Sequence, residues 1–359
     1  MLSEEIIEKM NLAKTILESD ENLGSRSLID KLFTMTQIKA DFDTEDTRID
    51  KIKMRLSVID SFYSTNMGRR LYGLKELAEK ISELGDDEQL REKLNTYIVQ
   101  DNSDISGVFK DKYGIFKHGI SSADNCASES NDENDDEGFK AISLISKYFY
   151  FVSNHNFPIY DRLVRNNIKK VLKHFNIDNN FTSNLIEEEF IRELIRVCDK
   201  DKFAEFDNLL WLYGKIQNGS LSFIASKEKY KAIMKLLREG FSETFIDYVT
   251  KNDMDVESLA KCTNKKEFRE IFQEEDTILC NSCWSLREQL NDIYKIFNND
   301  GEITREKLVE TIFKNVKSQN LDIFIASQLK DAEILKKLHQ EKLISKNLYE
   351  FLNFCRKVK

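Results

Sequence analysis

The clearest chemical candidate in the chain is a carboxylate at a sharp entry to a helix. Residues 156–173 read Asn-Phe-Pro-Ile-Tyr-Asp-Arg-Leu-Val-Arg-Asn-Asn-Ile-Lys-Lys-Val-Leu-Lys, and Pro158 is the single proline of the sequence. Proline fixes its own φ and biases Phe157 towards extended backbone, so the chain enters the following helix at a set angle. Asp161 then falls at the cap or first turn, where a carboxylate accepts backbone N–H bonds and meets the positive end of the helix dipole. Beyond it, Leu163, Val164, Ile168, Val171, Leu172 and Phe175 form an apolar stripe. Arg162, Arg165, Lys169 and Lys173 recur at i, i+3, i+7 and i+11 and form a basic one. Two readings of that pattern stand: a phosphate-contacting surface, or a solvated basic face behind a capping aspartate.

Other chemistry-bearing patterns lead less far. Cys280-Asn-Ser-Cys283 is half of a zinc site, with only Cys262, Cys355 and His339 to supplement it, so buried free cysteines are expected. Asn298-Asn-Asp-Gly301 mimics the centre of a calcium loop but places Ile296 and Lys307 where carboxylates are required, so a capped turn is expected. His118, His155, His174 and His339 have no metal-ligand spacing, and His155 is expected as a turn histidine near Asp161 in sequence. Walker, dinucleotide-loop and nucleophile-elbow motifs do not occur. The aromatic run Tyr148-Phe149-Tyr150-Phe151 reads as core, as does Trp211. No cofactor is implied.

The elements that must position these groups are helices. A chain of 359 residues with one proline and 12 glycines lacks the punctuation of sandwiches, barrels and hairpins. Periodic apolar positions predict helices over 4–18, 47–63, around 74–84 ending at Gly85, 139–152, 160–175, 185–198 and 203–215. The sequence stays helical and charged from Ser220, with three short helices over 303–352 that are compatible with a helix-turn-helix. The expected fold class is all-α.

Charge is distributed unevenly. The net −9 contains a run at 119–138 with seven carboxylates and no Lys or Arg, which reads as a mobile acidic loop. Outside it, 54 basic residues face 56 acidic ones, so a local basic face is compatible with the bulk charge. No secretory leader and no run of about 18 apolar residues is present, and the thin scatter of six cysteines suits a reducing compartment. A cytoplasmic location without membrane contact is the expectation.

Phe157-Pro-Ile-Tyr-Asp161 followed by Val164 and Val171-Leu172 resembles the helix-hairpin-helix DNA glycosylases, especially their adenine-mismatch branch. The likeness spans about 45–217, and implies a DNA glycosylase-like domain there, an N-terminal helical segment over 1–44 and a C-terminal helical domain over 218–359. It implies that Asp161 is the catalytic carboxylate of a DNA N-glycosylase. Arg162, Arg165, Lys169, Lys173 and Lys140 would lie near phosphate, and Tyr63, Ser64 and Asn66 where a target base is approached. Phe206–Lys215 resembles the helix that closes the domain. Lys147 is the second catalytic candidate by the same resemblance, and stands about a turn later than the lysine nucleophile of the bifunctional branch. Ser146-Lys-Tyr, Pro-Ile-Tyr-Asp and Leu-Trp-Leu-Tyr-Gly-Lys together also resemble a poorly characterised group of bacterial proteins. The chain departs from the family where Gly-x-Gly would stand: it reads Gly138-Phe-Lys-Ala141, directly after the acidic run. The four-cysteine iron–sulfur pattern is also missing.

Two functional expectations follow. One is a base-excision protein whose partner is damaged or mismatched DNA. The other is a non-catalytic helical protein that keeps the scaffold and binds a protein partner through the acidic loop and the C-terminal domain.

Overall fold

The computed structural model describes residues 2–18, 24–65, 67–100, 102–116, 138–182, 184–221, 225–252, 256–272, 277–290, 292 and 318–358. The acidic run up to residue 137, Asn66 and the glycine turn at 298–301 lie outside them. The fold is all-α among the described residues, with one minor addition: an antiparallel pair of two-residue strands, β1 (Arg70–Leu71) and β2 (Ile115–Phe116). No described helix is long and apolar enough to cross a membrane.

Two compact units divide the chain: residues 1–14 with 21–210, and residues 15–20 with 211–359. Residues 1–14 and 24–44 therefore pack within the first unit beside 45–210. The C-terminal division falls between Leu210 and Trp211, inside a helix. The first unit contains α1 (Glu4–Glu18, up to Lys14), α2 (Gly24–Met35), α3 (Glu45–Tyr63), α4 (Gly73–Ser82), α5 (Asp87–Val99), α6 (Ser103–Lys110), α7 (Ile142–Val152), α8 (Arg162–His174), α9 (Glu187–Val197) and the start of α10 (Phe203–Gln217).

Helix α7 is the centre of this unit. Every residue from Ile142 to Val152 except Ser143 is buried, because its apolar residues run all the way round rather than along one stripe. Helices α2, α3, α5 and α6 pack against it. The aromatic run assigned to core from sequence is core: Tyr148, Phe149, Tyr150 and Phe151 are all buried. Phe149 meets Phe109 and Phe157 edge-on at 5.6 and 5.5 Å between ring centroids. Trp211, expected there too, is only half-buried.

One buried ion pair ties four segments together. Arg55 on α3 makes a two-pronged contact with Asp87, Nη1 to Oδ1 and Nη2 to Oδ2, both at 2.8 Å. Its remaining N–H groups donate to Thr36 Oγ1, Thr36 O and Phe33 O, and Nη1 also reaches the Tyr148 hydroxyl at 3.3 Å. Asp87 Oδ2 accepts the Ile38 backbone N–H at 3.1 Å. The guanidinium lies over the Phe33 ring, 4.3 Å from its centroid. A fully buried charge is tolerated only when paired and hydrogen-bonded in this manner.

The strand pair needs glycine. Gly114 has φ +61°, and a Cβ there would sit 2.5 Å from the Leu71 carbonyl oxygen and 2.7 Å from the Gly73 nitrogen. The Tyr113–Phe139 bridge then returns the chain to the start of α7.

The second unit contains the end of α10, α11 (Lys227–Asn252), α12 (Val256–Lys261), α13 (Lys265–Phe272), α14 (Thr277–Ser285), α15 (Ser318–Gln328), α16 (Ala332–Gln340) and α17 (Lys346–Lys357). Helices α14 and α15 pack together, joined by the Gln328 Nε2 donation to Ser282 Oγ at 2.9 Å. Cys262, Cys280, Cys283 and Cys355 are buried and in no disulfide among the described residues, as expected.

Candidate functional site

Four charged side chains meet in the first unit, and two of them, Asp161 and Lys147, are sequence candidates. Asp161 is the N-cap of α8: its backbone is extended, and Oδ1 accepts the Val164 N–H at 2.9 Å. Its position is set from α7. Ser146 is fully buried, accepts the Tyr160 N–H at 3.0 Å and donates to the Tyr160 carbonyl at 3.2 Å. The residue after Ser146 then faces the residue after Tyr160: Lys147 Nζ lies 3.5 Å from Asp161 Oδ2. Phe157, Pro158 and Ile159 are buried and hold the extended approach to the helix.

Lys147 is only 2% exposed, and Asp161 19%. The ammonium group donates to Ser143 Oγ at 2.8 Å and lies over the Tyr63 ring, 5.2 Å from its centroid. Burial pushes the Lys147 amine below the ordinary lysine value, while Asp161 and Asp207 oppose that shift through their negative charge.

The remaining members come from helices that frame the pair. Arg26 on α2 bonds to both Asp207 and Asn208 on α10. Burial of Asp207 raises its carboxyl above the usual range, against the pull of the Arg26 guanidinium, and the neighbouring Asp161 charge adds to the rise. Tyr150 lies under Arg26, whose Cζ is 5.9 Å from the ring centroid. Burial pushes the Tyr63 hydroxyl up, and Arg26 opposes it. That hydroxyl is buried and closes no hydrogen bond of ordinary geometry. Two cations and two carboxylates thus balance formally, in surroundings where each alone would be costly.

The other sequence candidates lie apart from this cluster. Arg162, Lys169 and Lys173 are exposed on α8. Arg165 is exposed too, and its Nη1 donates to the Tyr160 hydroxyl at 2.9 Å. Lys140 is exposed just ahead of α7. Ser64 ends α3 in the left-handed region, with φ 50°, and has no bond to Lys147 or Asp161. Asn66 lies outside the described residues. His155, expected as a turn histidine, stands in a left-handed turn after α7 and pairs with Asp30 on α2, Nε2 to Oδ1, at 2.8 Å.

Compared with protein-family models, curated proteins and solved structures, the chain matches none.

Sequence reasoning passed over Arg26, Asp207 and Asn208. Asp207 and Asn208 carried a signal: two polar residues interrupt Phe206, Leu209 and Leu210, all buried. Arg26 carried none, since nothing local marks it among the many exposed arginines a sequence can hold. Among the described residues, no group of His, Cys, Asp and Glu is arranged to hold a metal ion.

What the cluster can do chemically rests on its asymmetry. Asp161 keeps one oxygen on the helix cap and offers the other to Lys147. A carboxylate so placed can stabilise developing positive charge or accept a proton from water. A lysine with a lowered pKa beside it holds a larger neutral fraction than an exposed lysine does.

Proposed function

We propose that this chain binds nucleic acid and cleaves an N-glycosidic bond in it, with Asp161 as the working carboxylate. The observation that carries the reading is the Lys147–Asp161 pair at the head of α8: a buried amine 3.5 Å from a carboxylate, under the Tyr63 ring. In the reaction the bond between sugar C1′ and the base nitrogen breaks, and its electron pair leaves with the base. Water adds to C1′, Asp161 Oδ2 takes the water proton, and the departing base takes up a proton at nitrogen. Lys147 positions the carboxylate, and Arg162, Lys169 and Lys173, exposed on the same helix, supply phosphate contacts. The resemblance of Phe157–Asp161 to the helix-hairpin-helix glycosylases supports the same assignment.

The experiment is binding and base release on labelled duplexes that contain mismatched, oxidised or deaminated bases. Three phosphate contacts predict a slope of about −3 in log K against log salt. Saturable, salt-dependent binding with release of one base type is the expected result.

A second reading, a non-catalytic interaction protein, draws on the 2% exposure of Lys147: an amine this enclosed serves the packing of α7 and α8 in the first instance. Absence of duplex binding at low salt favours that reading and directs attention to a protein partner.

A further inference from the structure

A cleft of about 340 Å³ opens in the first unit between α2 and the turn that follows α7, and it shares no residue with the Lys147–Asp161 pair. Asp30, Phe33, Arg91, Phe151, Asn154 and His155 line it. Its volume is near the lower end for small-molecule sites, about 300–1,000 Å³.

The polar groups of this cleft are fixed but incompletely used. Arg91 on α5 donates Nε to the Val152 carbonyl at 2.7 Å, which sets the plane of its guanidinium. Among the described residues its Nη groups have no hydrogen bond, and it has no carboxylate within ion-pair distance. Arg26 and Arg55 in this unit each have an aspartate, whereas Arg48, half-buried like Arg91, bonds to the Ser82 carbonyl. Asp30 uses Oδ1 on His155 Nε2, and Oδ2 has no partner among the described residues. The imidazole is locked by stacking on Tyr150, centroids 4.4 Å apart and planes at 18°, and by an edge contact with Phe151 at 5.8 Å. Phe33 and Phe151, 5.8 Å apart at 32°, back the cleft from the core and are themselves only 8% and 2% exposed.

The backbone of the turn fixes where His155 stands. Asn154 and His155 are consecutive residues with positive φ, 53° and 70°, held by the His155 N–H bond to the Tyr150 carbonyl at 2.7 Å. Asn and His enter the left-handed region more readily than most residues, and the bond makes this turn the C-cap of α7, which sets the imidazole beside Asp30.

We propose that this cleft binds a small planar heteroaromatic molecule that carries one anionic group and a ring N–H. The guanidinium fork of Arg91 takes the carboxylate or phosphate through paired N–H donors. The second oxygen of Asp30 accepts the ring N–H, and Phe33 and Phe151 close the inner end of the cleft.

Isothermal titration calorimetry on the full chain at low salt tests this, with orotate as the carboxylate probe, uridine 5′-monophosphate as the phosphate probe and uracil as the neutral control. The expected result is one-to-one binding of at least one anion with Kd below about 1 mM, and uracil weaker by about tenfold or more. Which probe binds distinguishes carboxylate from phosphate. Arg91→Gln weakens the bound probe by about tenfold. Thr34→Trp, at an exposed position on the cleft wall, leaves Arg91 and Val152 untouched and blocks binding by filling the space. It decides the matter should Arg91→Gln fail to fold. No saturation by either anion, equal binding of uracil, or undiminished binding in folded Thr34→Trp overturns the assignment.

Discussion

Lys147 Nζ lies 3.5 Å from Asp161 Oδ2 while the other oxygen of Asp161 caps α8, so one carboxylate joins the central helix to the next. Lysine burial has a measurable consequence. The folded amine titrates below the ordinary 10.5 because of desolvation. Between its folded value and 10.5 the unfolded chain binds a proton that the folded chain does not. Stability contributed at this position therefore rises with pH across that window, and the cost of the buried charge is felt in full below it. Lys147→Met removes that cost. The stability of the variant relative to the parent should fall as pH rises from neutral towards 10.5, as read by urea unfolding. A difference that stays flat or grows contradicts the assignment of a depressed amine.

Arg55→Met should cost about 3–5 kcal/mol, because Asp87 is then left charged and buried without a counter-ion. The urea midpoint measures it. A loss under about 1 kcal/mol, the range of exposed pairs, would mean that Asp87 finds water or another donor.

Asp207 and Arg26 should couple in a double-mutant cycle. Arg26→Met leaves a buried carboxylate whose pKa is already raised by desolvation, and the loss should again be about 3–5 kcal/mol. With Asp207→Asn in the background, the same Arg26→Met change should cost less by at least about 1 kcal/mol. Additive losses would show that the two side chains act separately.

Fold class was legible because composition and period agreed: one proline, few glycines and long 3.6-residue stripes leave little besides helices. Asp161 as a helix cap was legible from Pro158 and the stripe after it, since capping is local chemistry. Helices α2, α5 and α6 were passed over. Helix α5 is announced by the capping box of Asp86 and Gln89, a signal within reach of the sequence, whereas α2 follows a stretch with no clear punctuation. The Arg26–Asp207 bond joins positions 181 apart, and no periodicity encodes such a pairing. Lys147 was legible only by resemblance. Its contact with Asp161 depends on Ser146 gripping Tyr160 fourteen residues later.

Thiol chemistry checks the core packing across both units. Cys198, Cys262, Cys280, Cys283 and Cys355 are all buried, and burial raises the thiols of Cys198, Cys262 and Cys355. In the folded chain these five should resist a thiol-specific disulfide reagent, and all should react after unfolding in urea. Rapid modification of Cys280 or Cys283 in the folded chain, mapped by mass spectrometry, would contradict the packing of α14.

The most direct test of the proposed function is base release by the parent chain and by Asp161→Asn on the same duplex panel. Asparagine caps a helix about as well as aspartate, and Asp207 still opposes the buried Lys147 charge. The variant should therefore fold, with a loss of stability that urea unfolding reads, and should bind duplex like the parent. It removes the charge, and the account predicts that base release falls by about 10²-fold or more. Release undiminished in a folded Asp161→Asn chain would contradict Asp161 as the working carboxylate.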